Sequence, residues 1–259
     1  RTLRVLFPGT EGRNEVHAAH LARSLELAGV REALAEAIRP EMGDARYVGF
    51  PAVLGIKRTP AILEHLKKLL GVPVFEIPMM PASVPGFRLK EVFDAALPQM
   101  GLLRLIDKRV ESVSRTENGN FLLAIGGNDE TVLIQARAVV LATGRFMGKG
   151  LISSREGIRE PVFNLPLSQP DGRLAWHRHE FLSPEGHPIN SAGVEVDDRF
   201  RPVDGAGEVV YGNLFAAGTI LAHQDWMRMK CGSGLAIATA YAAVNACLGI
   251  IKKSDGENA

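Results

Sequence analysis

Apolar and polar positions alternate with two different periods along the first 85 residues, and this pattern predicts strands and helices in turn. The runs LRVLFPG (3–9), RYVGFPAVLG and VPVFEIP are short, apolar and bounded by Gly or Pro, which is typical of buried strands. Residues 14–29 and the run PAILEHLKKLLG carry apolar side chains at helical spacing, and the first helix is expected to stop at Gly29. Alternation of this kind predicts a parallel sheet covered by helices.

The pattern changes after residue 85. The run PGFRLKEVFDAALPQMG predicts one more helix, and LLRLI predicts a short strand. Three extended runs follow, RVESVSRTE, NFLLAIGG and ETVLIQA, and the Asn-Gly and Gly-Asn-Asp turns between them predict a β-meander. The meander leads directly into RAVVLATG (137–144), an apolar strand that ends at Thr-Gly.

The rest of the chain is irregular until its last fifty residues. Six of the 15 prolines lie within residues 145–212, where we expect short strands and loops that line a pocket or a partner surface. The run GNLFAAG (212–218) predicts a core strand, and residues 231–251 predict an uncharged helix that opens with Gly-Ser-Gly. Only six of these 21 residues are Leu, Ile or Val, so a helix packed between sheet and partner is favoured over a transmembrane span.

Composition adds few constraints. The 259 residues are 46% hydrophobic and 23% charged, as in ordinary soluble globular proteins. A formal net charge of +1, with no basic run interleaved with aromatic residues, argues against nucleic acid as a partner. Cys231 and Cys247 lie too far apart on one predicted helix for a disulfide, and so few cysteines indicate a reducing compartment.

Two of the predicted strands, RAVVLATG and GNLFAAG, end in the same way, with a small residue followed by Gly. Ligands of open α/β sheets bind at the carboxyl ends of strands, where Gly permits close approach of the backbone. The glycine-opened helix adds unpaired N–H groups and a partial positive charge at its N-terminus. Such a site suits a ligand that develops negative charge, and a flavin is a good candidate because reduction places charge on the N1–C2=O side of its ring. The alternative is that these strands and this helix are only packing elements.

The usual dinucleotide-binding fingerprint, G-x-G-x-x-G after a first strand, has no match in the chain. The chain also opens at Arg1 within an apolar run and without Met. We therefore expect a piece of a longer protein, in which either a complete nucleotide-binding domain is absent or its first βαβ unit lies upstream of Arg1.

Several motifs resemble one known family, the B subunit of anaerobic glycerol-3-phosphate dehydrogenase. The resemblance is carried by VVLATGRFMGKGLISSREGIREPVFNLPL, above all by Gly-Ile-Arg-Glu-Pro at 157–161, by VFEIPMMPASVPGFRL (74–89) and by NLFAAGTILAHQD with CGSGLAIATAYAA. The resemblance covers essentially the whole chain. The family's N-terminal third, with its Gly-rich dinucleotide loop, is not present in this sequence. The sequence departs from the family at GRFMGKG, which carries Arg145 and Lys149, and at Ala222-His223, where we expect paired glycines before Asp225.

The resemblance implies a flavoprotein subunit with FMN or FAD as its cofactor, although we expect this chain, without the phosphate-binding loop, to hold no flavin tightly and to be inactive alone. It implies oxidation of sn-glycerol 3-phosphate to dihydroxyacetone phosphate, with electrons passed to quinone in anaerobic respiration. The implied partners are a homologous flavin subunit and an iron–sulfur subunit that holds the complex at the inner face of the cell membrane. The subunit itself would be cytoplasmic, with no transmembrane segment of its own.

The expected fold class is α/β, a partial Rossmann-like FAD/NAD(P)-binding fold with a parallel sheet, helices and a β-meander, plus an adjoining α/β cap domain. We expect the cap at residues 1–84, half of the flavin domain at 85–144 and a Pro-rich cap or interface region at 145–211. The last strand and helix of the flavin domain follow at 212–251, and residues 252–259 are expected to be a disordered tail.

The predicted site has three parts. We expect a flavin to be bound by Thr143, Gly144, Gly218, Thr219, Asp225 and the N–H groups of Gly232, Ser233, Gly234 and Leu235. Arg145 or Arg159 is expected to bind a phosphate of substrate or flavin, because a guanidinium matches phosphate oxygens, unless Arg159 pairs with Glu160 or is solvated. His223 is a candidate proton acceptor for the substrate hydroxyl, or else a structural histidine.

No metal site is predicted. The pairs His17/His20 and His177/His179 have no carboxylate or third ligand in an obvious pattern. Two other functions stay open: a non-catalytic scaffold or electron-relay subunit, in which residues 145–212 form a docking surface, and a nicotinamide-dependent enzyme, which the missing fingerprint disfavours.

Overall fold

The computed structural model describes residues 2, 4–12, 15–79, 83–126 and 131–256 and divides into two compact units, Arg1–Arg104 and Leu105–Ala259. The division falls between residues 104 and 105 and not at the expected boundary after residue 84. The reason is the helix that begins at Val84, because Val84 is buried in the core of the first unit and Arg88 is hydrogen-bonded within it.

The first unit is a short parallel sheet with helices. Its elements are α1 (Ala18–Ser24), α2 (Ala28–Met42), β1 (Val48–Pro51), α3 (Thr59–Leu70), β2 (Val74–Ile77) and α4 (Val84–Ala96). Strands β1 and β2 pair in parallel with Val48 opposite Val74. Leu25, Leu54, Ile62 and Leu66 are fully buried in the core, and the α3 residues among them repeat at i and i+4, as expected for an amphipathic helix.

Two glutamates fix the loop between β1 and α3. Glu76 receives hydrogen bonds from both terminal nitrogens of Arg88 at 2.6 and 2.8 Å and from the Leu54 N–H at 2.7 Å. Glu26 accepts the N–H groups of Ile56 and Lys57 at 2.8 and 2.9 Å. Burial raises the pKa of both carboxyls, but these hydrogen bonds outweigh it, so that each pKa lies below its ordinary value.

Three predictions for this half of the chain were wrong. The described residues of 3–9 form no strand, although Val5 and Phe7 pack against the core. The helix expected over 14–29 is shorter and is followed by α2, which was not predicted because Gly29 was interpreted as a stop signal. Gly29 lies instead in the first turn of α2, where its backbone is not strained. The run LLRLI is also irregular.

The second unit contains the predicted meander and further elements after it. The meander is the antiparallel sheet β3 (Arg109–Arg115), β4 (Phe121–Gly126) and β5 (Val132–Ala136). The Asn-Gly turn closes its first hairpin, whereas the predicted Gly-Asn-Asp turn lies outside the described residues. The later elements are β6 (Val139–Leu141), β7 (Ile152–Ser153), β8 (Ile158–Arg159), β9 (Leu214–Ala216), α5 (Trp226–Met229) and α6 (Gly232–Gly256).

Strands β6 and β9 form a parallel pair in the centre of this unit, with Leu141 opposite Ala216. The segment between them is mostly loops and single turns, as the sequence predicted, and it supplies Trp176 and Val194 to the core. The fold class is therefore α/β with parallel sheet elements, as expected.

Helix α6 packs one face on β6 and β9 and leaves the other face exposed. Thr239, Ala243 and Cys247, spaced four residues apart, are buried, whereas Ile237 and Tyr241 are 67% and 74% exposed. From Gly232 to Lys252 the helix is long and apolar enough to cross a membrane, with a mean hydropathy of 1.8, a test that core helices also meet. The helix continues to Gly256, so the disordered tail expected from residue 252 was wrong for residues 252–256; residues 257–259 lie outside the described part.

Candidate functional site

The carboxyl ends of β6 and β9 lie side by side. The Ala217 N–H donates to the Leu141 carbonyl at 3.0 Å, which continues the parallel ladder one residue beyond the strands. The segments that follow β6 and β9 each turn at a glycine with positive φ, +70° at Gly144 and +77° at Gly218. Because glycine adopts this conformation without strain, the backbone can turn shortly after the buried ends of the strands, Leu141 and Ala217. The two predicted glycine-ended strands are thus brought together at one sheet edge.

Helix α6 is joined to this edge by a buried hydroxyl. Oγ1 of Thr239 accepts the Gly218 N–H at 2.8 Å and donates to the Leu235 carbonyl at 2.7 Å. The Leu235 N–H bonds to the Cys231 carbonyl at 2.7 Å, so it is not available to a ligand as the sequence had suggested. The N–H groups of Gly232, Ser233 and Gly234 have no hydrogen-bond partner within the described ranges, as the open start of a helix requires.

A cavity of about 460 Å³ lies where these pieces meet, and we call it the glycine cavity. It is lined by Gly144, Arg145, Phe146, Met147, Gly148, Asn190, Thr219 and Gly232. Its size falls in the range of about 300–1,000 Å³ typical of small-molecule sites. The first strand end, the second strand end and the helix start each contribute at least one glycine or threonine to its wall.

Arg145 is 9% exposed, and its guanidinium is used by the protein itself. It donates to the carbonyls of Ile189 and Gln224 at 3.3 and 2.9 Å and to those of Asn190 and Ala192. Burial lowers the pKa of this guanidinium, and the charge of Asp225 acts in the opposite direction. These bonds favour a structural role over the anion-binding role predicted for Arg145.

Arg159 lies on β8 with an exposed side chain and does not line the glycine cavity. Its predicted alternative partner, Glu160, is fully buried and accepts the N–H groups of Val162 and Phe163 at 2.7 Å each. The carboxylate thus holds the following turn.

His223 forms a close pair with a residue that the sequence did not suggest. Its Nε2 lies 2.6 Å from Oε1 of Glu195, and both side chains are partly exposed. Because a carboxylate only accepts, Nε2 carries the hydrogen in the neutral ring and Nδ1 keeps the free lone pair. The His223 backbone has a φ of +63°, and its N–H donates to the Ser191 carbonyl at 2.8 Å.

The segments that carry this pair are held together by a glycine. The Val194 N–H bonds to the Ile220 carbonyl and the Ala222 N–H to the Val194 carbonyl, each at 2.9 Å. A Cβ on Gly193 would lie 2.7 Å from the Ala222 nitrogen, so only glycine allows this approach. Asp225, predicted to contact a cofactor, begins α5 by accepting the Arg228 N–H at 3.3 Å with its side chain.

A second cavity, of about 390 Å³, shares Gly148 with the glycine cavity. We call it the basic cavity, because Lys108, Arg109 and Lys149 line it together with Thr143. The rest of its wall is apolar or glycine, and none of the described residues that line it is acidic.

The histidines of these pairs contact other rings. The His17 and His20 rings lie edge to face with centroids 5.7 Å apart, and His177 packs against His187 instead of His179. Within the described residues no group of three His, Cys, Asp or Glu side chains could hold a metal ion.

Sequence reasoning missed Thr239, Glu195 and the three cations of the basic cavity. A threonine within an alanine-rich helix could have indicated a polar contact of α6. Glu195 is far in sequence from His223, and only the fold brings the two together.

A parallel strand pair with glycine turns at its carboxyl ends, a meander leading into its first strand and a helix that starts at the same edge define an α/β cofactor-binding fold. The chain belongs to the FAD binding domain family, whose model matches residues 1–235. It is thereby a member of a flavin-binding oxidoreductase family.

The relatives share one description. A protein of Halobacterium salinarum, named as a probable B subunit of anaerobic glycerol-3-phosphate dehydrogenase, is 36% identical over 214 residues, which cover 83% of this chain and 50% of the relative. The B subunits of anaerobic glycerol-3-phosphate dehydrogenase from Vibrio cholerae and Vibrio vulnificus are 31% and 29% identical over 252 residues each, covering 95% and 96% of this chain and 57% of each relative. The chain thus spans about half the length of the curated relatives it matches, and the predicted resemblance is confirmed. No solved structure matches it.

Proposed function

We propose that this chain is part of a flavoprotein subunit that oxidises sn-glycerol 3-phosphate to dihydroxyacetone phosphate and passes the electrons to a respiratory chain. The observation that carries the proposal is the glycine cavity, where Gly144, Thr219 and Gly232 come from the two strand ends and the helix start. The names of the relatives supply the substrate.

The residues of this cavity fit a flavin. The unpartnered N–H groups of Gly232, Ser233 and Gly234 provide donors and a partial positive charge. Gly144 and Gly218 leave the backbone without side chains at the strand ends, and Thr219 adds a hydroxyl. A flavin bound there, FMN or FAD, supplies the acceptor for two electrons. Membership of the FAD binding domain family also favours a flavin over a nicotinamide cofactor.

Oxidation of a secondary alcohol removes a hydride from the carbon and a proton from the hydroxyl. We propose that the proton goes to Nδ1 of His223, which keeps a free lone pair because Glu195 holds Nε2. His223 does not line the glycine cavity itself and follows Thr219, which does, by four residues. Glu195 is then a positioning residue that fixes the tautomer and orientation of the ring. The partly exposed imidazole can pass the proton on to water.

The proposal also extends to the complex in which this subunit would work. The relatives are B subunits, a name that implies partner subunits, and we propose a homologous flavin subunit and an iron–sulfur subunit that holds the complex at the cytoplasmic face of the membrane. Electrons would leave toward quinone through these partners.

The test is an absorbance spectrum of the chain and of its longer gene product, each reconstituted with FMN or FAD and purified alone and with co-expressed partners. In the longer gene product and in the assembled complex, we expect flavin bands that bleach under anaerobic glycerol 3-phosphate but not under glycerol. Flavin bands that no substrate concentration bleaches, in the assembled complex, would contradict the oxidation proposal.

A scaffold or electron-relay subunit is the second candidate. It is favoured by apolar side chains in the 145–212 region that protrude almost fully, with Leu174 99%, Phe181 88% and Leu182 85% exposed. In this case, replacing these side chains by Ser would reduce the amount of complex that assembles with the partners. The complex that still forms would oxidise substrate with its usual turnover number.

A further inference from the structure

Among the described residues that line the glycine cavity, Arg145 alone has a charged side chain. The proposed flavin changes its own charge on reduction, because the hydride from the alcohol carbon brings two electrons and one proton and leaves the ring with one negative charge, while the hydroxyl proton goes to His223. We propose that the buried charge of Arg145 favours the reduced, anionic flavin ring over the oxidised, neutral one. This inference rests on the proposed function, and it gives Arg145 an electrostatic role and not that of a phosphate ligand.

The guanidinium is held within the cavity wall. Arg145 is buried, and its neighbours in the chain, Gly144 and Phe146, line the cavity as well. One terminal nitrogen donates to the carbonyl of Asn190, which belongs to the wall too. The charge is thus held between two separate segments that both line the cavity.

None of the direct contacts of this guanidinium neutralises its charge. All four acceptors are backbone carbonyls, which carry no net charge. Within the part of the chain that the structure describes, Arg145 forms no ion pair, and the charge of Asp225 acts on it without a direct contact. A guanidinium stays protonated in proteins even where burial lowers its pKa. A buried charge is costly unless hydrogen bonds and an opposite charge offset the cost, so an anion in the cavity would supply what the hydrogen bonds do not.

The rest of the wall strengthens the effect of this charge. Phe146 and Met147 are apolar, and none of the described residues that line the cavity is acidic. Attraction between opposite charges grows as the medium around them becomes less polar. The start of α6 at Gly232 adds a partial positive charge of about half an elementary charge. Arg145 acts in the same direction with a full charge.

The experiment measures flavin affinity in the longer gene product and does not depend on turnover. The dissociation constants of oxidised and of dithionite-reduced FMN and FAD are determined under anaerobic conditions, and equilibration with a dye of known potential gives the potential of the bound flavin independently. The ratio of the two constants fixes this potential relative to that of free flavin. We expect Arg145→Gln to lower the preference for reduced flavin about tenfold, which corresponds to about 30 mV for a two-electron couple.

Two further variants separate the charge of Arg145 from its hydrogen bonds. Arg145→Lys keeps the charge but satisfies fewer carbonyls, so the preference for reduced flavin should stay within about threefold of the unaltered protein although stability falls. Asp225→Asn removes the opposing negative charge and keeps a side-chain oxygen for the Arg228 N–H, and it should raise this preference. It tests the proposal even where Arg145→Gln does not fold. The control Arg199→Gln removes an exposed cation outside the cavity and should change nothing.

The outcomes separate this inference from the proposed function. An unchanged preference in Arg145→Gln, an equal loss in Arg145→Gln and Arg145→Lys, or a loss in Asp225→Asn would overturn the inference, and flavin that still bleaches with substrate would leave the proposed oxidation standing. The expected shifts in a complex that never bleaches would support the role of Arg145 and refute only the oxidation. If the unaltered gene product binds neither flavin, the proposed flavin site and this inference both fail.

Discussion

The hydroxyl of Thr239 joins helix α6 to the turn after β9, because its oxygen accepts the Gly218 N–H at 2.8 Å and its hydrogen goes to the Leu235 carbonyl. Thr239→Val keeps the shape and removes both bonds. We expect a loss of about 1–3 kcal/mol in the free energy of unfolding, since the partly buried Gly218 N–H loses its acceptor and the Leu235 carbonyl loses a donor. Urea denaturation followed by tryptophan fluorescence measures it.

The conservative change Thr239→Ser is the control for that prediction. It keeps the hydroxyl and should retain most of the stability. If the valine variant were as stable as the serine variant, the hydroxyl would not be what joins α6 to the turn, and packing of Ala243 and Cys247 alone would suffice.

The elements that could be predicted from sequence are those with a local signal. The meander, the parallel pair β1/β2 and the two glycine-ended strands follow from side-chain periodicity and turn residues within a few positions. Helix α2 was missed because the sequence does not distinguish a glycine in the first turn of one helix from a glycine that follows the last turn of another.

The candidate site was predictable only in its backbone part. Gly144 and Gly218 carry a local signature, whereas the His223–Glu195 pair depends on the approach of residues 193–196 to residues 220–223. Arg145 shows most clearly what the sequence cannot predict. A guanidinium binds carbonyls as well as phosphates, and the sequence around Arg145 does not reveal which of the two it binds.

Arg145 links the loop after β6 to two other segments, so its removal should affect folding before chemistry. Arg145→Lys can satisfy fewer of the four carbonyls, and we expect a loss of about 2–4 kcal/mol in stability. The control is Arg159→Lys on the exposed side of β8, with a change below about 0.5 kcal/mol. A stable Arg145→Lys variant that loses phosphate affinity would restore the anion-binding role predicted from sequence.

Glu195 is expected to act on turnover through His223. In the assembled complex, Glu195→Gln should lower kcat about tenfold with little change in KM, because the amide can hold the wrong tautomer. Glu195→Asp should recover part of the loss, and the imidazole ¹⁵N shifts of His223 should differ between the Gln variant and the unaltered chain. A fall in substrate affinity with unchanged kcat would instead indicate that the pair contributes to binding.

The Glu76–Arg88 pair gives the first unit an acid-sensitive contribution to stability. The pKa of Glu76 lies below its ordinary value of 4.5 despite the opposing effect of burial, because Arg88 and the Leu54 N–H bind the charged form. A lowered pKa in the folded state means that this contribution is complete above pH 4.5 and is lost as the pH falls through the folded value.

Glu76→Gln should therefore destabilise the first unit at neutral pH by about 2–4 kcal/mol, since Arg88 is left without its counter-charge. The difference from the unaltered chain should shrink as the pH falls below 4.5, where the glutamate also becomes neutral. Hydrogen exchange of the amides of α3 and β2 measures this unit separately from the second one. Glu64→Gln, which removes only an exposed pair with Lys67, should change the exchange by less than about 0.5 kcal/mol at any pH. A pH-independent difference for Glu76→Gln would show that the carboxylate charge does not stabilise the loop between β1 and α3.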